Sequence, residues 1–261
     1  MGRRRKTNSI NKVRKKVSEG RGMGTGEGYV PGIFTYEIPS KGKVARVKGM
    51  TDNRTHHCLS QIEKHFLILL DNDPLVTEIY EQKTLPLEDT LLIAADLGYE
   101  HPRVDGYAVL MTTDFYFLRG GKWYAVAIKS KKDASKERVK EKLKIERIYW
   151  EQKDVLWSLV TEKDIPRQLV ANLQWLSSGE HVEKLIPDLE TRQAIMDSFL
   201  ELYRNPSVPF RALIEAMESF YGLRPGTIIQ VFKHLIREEA ILLDLTRPIN
   251  WQDPRNGQSP S

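Results

Sequence analysis

One cysteine in 261 residues, Cys58, excludes an internal disulfide and leaves no second thiolate for a structural zinc site. Long apolar runs are missing too. No stretch approaches membrane-spanning length, and the opening Arg3-Arg4-Arg5-Lys6 is not followed by the apolar segment of a secretion signal. An intracellular protein with no membrane partner is expected. Acidic residues are scarce at the front: positions 1–50 hold 13 Lys or Arg against 3 Asp or Glu, a balance of +10. The whole chain carries +5, which leaves −5 for the remainder. Basic charge gathered in an arm suits nucleic-acid phosphate, because each neutralised phosphate releases counterions. Arg3, Arg4, Arg5, Lys6, Arg14, Lys15 and Lys16 are the candidate contacts; a solvated tail without function is the alternative. With 40% hydrophobic and 29% charged residues, the chain has a real core and the length for two ordinary domains.

The most informative stretch is Leu110 to Lys131, LMTTDFYFLRGGKWYAVAIKSK. Two runs rich in Val, Tyr, Phe and Leu flank a Gly-Gly turn, the pattern of a β-hairpin. Asp114 interrupts the first strand and Lys131 ends the second. A period of two puts Ala125, Ala127, Lys129 and Lys131 on one face, so Lys131 can share a site with Asp114. A carboxylate and a strand carbonyl can hold Mg²⁺ against a phosphodiester, with lysine beside them to orient water or screen charge. The plainer reading is a charged residue that starts or bulges a strand and a solvated lysine.

Upstream, residues 1–32 read as a basic arm and linker. The glycines of RGMGTGEG are too irregular for a dinucleotide fingerprint and suggest a flexible connection. Short strands are expected over 33–39 and 43–49. Ser60 and Glu63 then have the spacing of a capping box before an apolar helix to about Leu70. That cap accounts for Glu63 by itself, although a carboxylate on the first turn of a helix against the sheet can also face Asp114. His56 and His57, adjacent in an extended segment, point opposite ways and cannot bind one ion together. A strand is expected over 75–82, a helix over 87–98 and a long helix over 133–153. On that last helix Glu146 is either an ion-pair partner of Lys142 or directed toward the site. A strand in VLWSLV and a helix in PRQLVANLQWLSS follow.

The order is that of a mixed sheet with helices on its faces. LSQIE around Glu63, MTTDF around Asp114, AIKSK around Lys131 and the LKIERIYWEQ helix closely resemble the TnsA family, as do EGRGMGTGEGYVPG and Gln174-Trp175-Leu176. TnsA proteins are endonuclease subunits of heteromeric cut-and-paste transposases with a restriction-endonuclease-like PD-(D/E)xK core. The resemblance covers roughly the first two thirds of the chain. It implies that Glu63 and Asp114 bind Mg²⁺, with Mn²⁺ as a substitute, and that Lys131 is the active-site lysine. The Ser130 carbonyl is implied as a further ligand. It also implies double-stranded DNA at transposon ends as substrate, a TnsB-like transposase and a TnsC-like AAA+ ATPase as partners, and the bacterial cytoplasm as location. One position departs. Two residues before the lysine, most restriction-type nucleases carry an acid and TnsA proteins a glutamine; here it is Lys129. An inward ammonium would repel metal, so Lys129 is expected to contact DNA phosphate or swing aside.

The α/β catalytic domain is thus expected over 33–178, and a small, mostly α, winged-helix-like domain over 179–251. The latter would have amphipathic helices at 209–221 and 225–239, Pro225 just inside the second, and wing strands at 241–245 and 248–251. Mixed charge on the second helix, Lys233 and Arg237 beside Glu238 and Glu239, favours partner docking over base reading. Residues 252–261 are expected to be disordered. The leading function is Mg²⁺-dependent cleavage of the 5′ ends of a mobile element. A catalytically silent adaptor with a nuclease fold is the alternative from another class, and Lys129 permits it. A winged-helix regulator would leave Glu63, Asp114 and Lys131 without a role.

Overall fold

The computed structural model describes residues 15–38, 44–104, 106–205, 207–250 and 252–255. The chain divides into two compact units between Ile165 and Pro166, thirteen residues ahead of the boundary expected from sequence.

The first unit is built on a four-stranded mixed sheet. Its strands are β3 (Val76–Thr84), β6 (Thr112–Arg119), β7 (Lys122–Ile128) and β8 (Leu156–Val160), in the order β3-β6-β7-β8. The β6–β7 hairpin turns at Gly120 and Gly121, whose φ values of +55° and +75° suit the twist of a two-residue loop. β8 runs parallel to β7, which requires a crossover, here the helix α4 (Glu137–Glu151). Peripheral pairs are β1 (Ala45–Lys48) with β2 (Thr55–Cys58), and β4 (Arg103–Val104) with β5 (Tyr107–Ala108).

Each sheet face is covered. Leu67 and Leu70 of α1 (Gln61–Asp71) pack with Ile79, Phe115, Phe117, Val126 and Ile128. Ile93 and Ala94 of α2 (Leu87–Asp96) join Ile145, Tyr149 and Trp150 of α4 around Ala125. Tyr116 stacks between Trp123 and Trp150, at 4.4 and 4.8 Å between ring centroids. The stripe 63, 67, 70 is one helical face, so the spacing that buries Leu67 and Leu70 also turns Glu63 inward.

Three sequence expectations change here. The glycine-rich segment is folded against β3: the Gly32 N–H donates to the Gln82 carbonyl at 3.0 Å, and the Tyr29 hydroxyl to that of Glu81 at 2.8 Å. Burial of the Tyr29 ring beside Tyr80, 4.7 Å between centroids, holds it there. In place of a strand, 33–38 contains a 3₁₀ turn, Thr35–Glu37, because the Glu37 carboxylate accepts from Phe34 N–H and offers the backbone a local partner. The long helix expected over 133–153 is preceded by a separate turn, α3 (Lys131–Ala134), capped by Ser130.

The second unit is helical: α5 (Arg167–Leu176), α6 (Val182–Leu185), α7 (Leu189–Tyr203), α8 (Phe210–Phe220) and α9 (Thr227–Arg237). Phe232 is fully buried among Trp175, Phe199, Tyr203 and Phe210. α5 belongs here because the Asn172 side-chain amide donates to the carbonyls of Leu245 and Arg247 at 2.8 and 2.7 Å. α9 starts at Thr227, two residues after Pro225, with Gly226 at φ +89° and the Glu218 carboxylate accepting from the N–H groups of Gly226 and Ile228. The expected wing is not formed: among the described residues, 241–250 contain no strand. Their backbone is held by side chains such as Asn172 instead of by a ladder. Arg255, in the segment expected to be disordered, donates to the carbonyls of Tyr203, Asn205 and Val208 and so ties down residues 252–255.

Candidate active site

The site is assembled from the first turn of α1, the strands β3, β6 and β7, and the helix α4. Ser60 caps α1: its hydroxyl oxygen accepts from Glu63 N–H at 3.1 Å. Glu63 reaches back over the cap, with Oε1 accepting from the Ser60 hydroxyl at 2.9 Å and Oε2 from the N–H of Leu59, one residue before the cap, at 2.8 Å. The cap and the inward orientation are therefore one arrangement. It fixes a carboxylate that is only 6% exposed.

Asp114 reaches the same place from β6. Its Oδ2 accepts from Ile128 N–H at 2.6 Å and from the Lys129 ammonium at 2.7 Å. Between the two acids lies Gln82 of β3, whose Nε2 donates to Glu63 Oε2 at 3.3 Å and to Asp114 Oδ1 at 3.4 Å. Gln82 is 1% exposed and has φ +52°, a conformation rarely adopted by residues other than glycine. Strain of this kind persists where the surroundings over-determine it. Here the Gln82 carbonyl is held by Gly32, and its Oε1 by the Thr112 hydroxyl at 3.2 Å.

Behind this pair, Glu146 points inward from α4, accepting from the Thr113 hydroxyl at 2.8 Å and the Trp157 indole N–H at 3.3 Å. Burial, and then the charge of Asp114, pushes both Glu63 and Glu146 up to about 7. Lys129 is raised as well: burial pulls it down, but the attraction of Asp114, Glu146 and Glu63 outweighs burial. Clustered carboxylates with perturbed proton affinity and an ammonium among them mark a site for a cationic or polyanionic ligand.

Residues 73–162 match the family model of the TnsA-like endonuclease N-terminal domain. Residues 164–245 match that of the TnsA endonuclease C-terminal domain. The chain belongs to the TnsA family. The transposon Tn7 transposition protein TnsA of Escherichia coli is 36% identical over 169 residues, 64% of this chain and 62% of that relative. The chain thus spans less than two thirds of the relative's length. The two domain matches meet close to the structural division at Ile165. Glu63 lies ahead of the first match.

Within this TnsA-family chain the other candidate residues are placed as follows. Lys129, not Lys131, brings its ammonium to Asp114; of the two expectations for Lys129, contact with DNA phosphate or swinging aside, the structure does not show the second. The physical reason is attraction: three buried acids need a cation, and Lys129 is the last residue carried by the β7 ladder, its N–H donating to the Val160 carbonyl at 3.1 Å. Lys131 has left the strand. It opens α3, is exposed, and its N–H donates to Glu162 Oε2 at 2.8 Å. The Ser130 carbonyl accepts from Ala134 N–H at 2.8 Å within α3; the strand-end carbonyl beside Asp114 is that of Ile128, which accepts from Lys129 Nζ at 2.8 Å. Arg3, Arg4, Arg5, Lys6 and Arg14 lie outside the described residues. Lys15 pairs with Glu19 at 3.7 Å and Lys16 with Glu37 at 3.1 Å.

Gln82 and Ile128 are the site residues that sequence reasoning missed. Neither has a motif; Gln82 is found through strand register, since Glu81 pairs with Phe115 and Lys83 with Thr113, which sets Gln82 opposite Asp114. His56, by contrast, is buried in a network with Asp52 and Glu81, and His57 accepts from Thr35 N–H; both are structural. Among the described residues no three His, Cys, Asp or Glu side chains converge as a metal-holding group. Glu63, Asp114 and the Ile128 carbonyl are hard oxygen donors of the kind Mg²⁺ takes while keeping several waters, so the set fits that ion with water completing its shell.

Proposed function

We propose that this chain is the Mg²⁺-dependent DNA endonuclease subunit of a cut-and-paste transposition machinery. It hydrolyses the phosphodiester at the 5′ ends of a mobile element, while a TnsB-like transposase acts on the 3′ ends and a TnsC-like AAA+ ATPase couples cutting to target choice. One observation carries the reading: in a TnsA-family chain, buried carboxylates from separate elements, Glu63 and Asp114, share the Gln82 amide.

Glu63 and Asp114 would hold Mg²⁺, or Mn²⁺ in its place, with the Ile128 carbonyl in preference to that of Ser130 because it already faces a cation. When bound, the ion neutralises the scissile phosphate and acidifies water. The protein's own groups do the rest. The Ser60 cap and the Gln82 amide fix the two carboxylates. Lys131, exposed at the head of α3, meets the phosphate or the attacking water. Glu146 stays behind Thr113 as a proton-holding acid. Arg3, Arg4, Arg5, Lys6, Arg14, Lys15 and Lys16 follow the DNA backbone, a contribution that added salt weakens.

Strand-specific cleavage of transposon-end DNA, with Mg²⁺ and the partner transposase, tests this. Wild type should nick the 5′-end strand, and Asp114→Ala should fall to background while still entering the complex. Nicking by Asp114→Ala at the wild-type rate would remove Asp114 from the chemistry. A second reading, a catalytically silent adaptor, is favoured by the Lys129 ammonium on Asp114; there, wild type would join the complex and nick neither strand.

A further inference from the structure

We propose that the Lys129 ammonium is a tethered counter-ion that competes with the divalent cation for Asp114, so that metal enters this pocket only by displacing it. This rests on the reading of Glu63 and Asp114 as metal-holding acids.

The geometry is that of a cation site already filled. Lys129 Nζ lies 2.7 Å from Asp114 Oδ2 and 2.8 Å from the Ile128 carbonyl oxygen, and a carboxylate with a strand-end carbonyl is a pair of donors that a hard metal ion selects. An ammonium brings three donors and a single charge, less than a divalent ion offers, but its attachment to the chain keeps it at hand. With the Ile128 N–H also on Oδ2 at 2.6 Å, Asp114 has only Oδ1 left, in a long 3.4 Å contact with Gln82. Gln82 supplies no charge, whereas Lys129 supplies an ammonium in direct ion pairing with Asp114. Metal affinity is therefore low while Lys129 stays. A bound phosphodiester offers the displaced ammonium another anion, so DNA and metal favour each other's binding.

Mn²⁺ titration of the full chain by calorimetry tests this without reference to cleavage. Lys129→Gln should bind Mn²⁺ about tenfold tighter or more, since a unit charge a few ångströms from a metal ion is removed. Lys132→Gln, which loses an equal charge from an exposed position, should stay within about twofold. In the wild type, the Lys129 side-chain NMR signals should shift as Mg²⁺ is added, a readout that does not depend on a variant folding. Equal affinity in wild type and Lys129→Gln, an equal gain in Lys132→Gln, or unmoved Lys129 signals would each overturn the proposal. Failure of both wild type and Lys129→Gln to bind Mn²⁺ would overturn the metal reading itself, and this inference with it.

Discussion

Gln82 joins two acids through one amide while its own backbone sits at φ +52°, so its conformational and polar roles can be separated. Gln82→Gly removes the amide and relieves the backbone; Gln82→Ala removes the amide and keeps the strain. Both should lose DNA nicking, whereas in urea melts Gln82→Ala should be less stable than Gln82→Gly by roughly 1 kcal/mol. Equal stabilities would mean that the positive φ is not costly. Glu146 provides a pH test. Its carboxyl is raised from 4.5 to about 7, by burial first and then by Asp114, so the folded state binds the proton more tightly than the unfolded one. Stability from this group is fully present below the unfolded value and is lost as pH rises through about 7. Glu146→Gln keeps an acceptor for Thr113 and Trp157 but does not titrate. Between about pH 5 and pH 8 it should lose less stability than wild type, by up to about 3 kcal/mol. Parallel pH profiles would show that Glu146 is already ionised.

At the scale of elements, local chemistry was readable and pairing was not. The Ser60–Glu63 cap spans a single helical turn, and its S-x-x-E spacing states it outright; the Gly120-Gly121 turn announces its hairpin in the same way. Ser60→Ala should cost about 1 kcal/mol of stability and should lower cleavage as well, because the lost hydroxyl also holds Glu63 Oε1. Urea melts and nicking rates measured together check this: a stability loss with unchanged nicking would separate the cap from the site. Lys129 and Lys131 were placed on one face by strand alternation. The period of two fails once the chain turns into α3, and nothing in AIKSK marks where the ladder stops. β2, THHC, lacks hydrophobic alternation and is a strand only through its pairing with β1.

Over the whole molecule, composition pointed to two domains, and the chain divides into two compact units after Ile165. α5 joins the second unit through Asn172, whose amide serves two carbonyls more than seventy residues away. Asn172→Ala should leave both without that donor and destabilise the second unit by about 1–3 kcal/mol, seen as faster amide exchange in α5 and α9. Unchanged exchange would show that other contacts hold the 241–250 segment. Lys233, one of the mixed charges that weighed against base reading by this helix, is 3% exposed and donates to Ser178 beside the Trp175 ring, which removes it from any outer surface.

Sequence alone determined what short-range physics encodes, the cap, the hairpin, the amphipathic helices and the basic front, while a shared role for the acids Glu63 and Asp114 was implied only by resemblance to a family. Tertiary structure decided which groups those acids meet. Gln82 lies opposite Asp114 only through the β3–β6 register, Glu146 turns inward only through the packing of α4, and the choice between two nearby lysines depends on where β7 ends. Distance along the chain carries no information about such meetings, because they follow from strand pairing and from the need of buried charge for a partner.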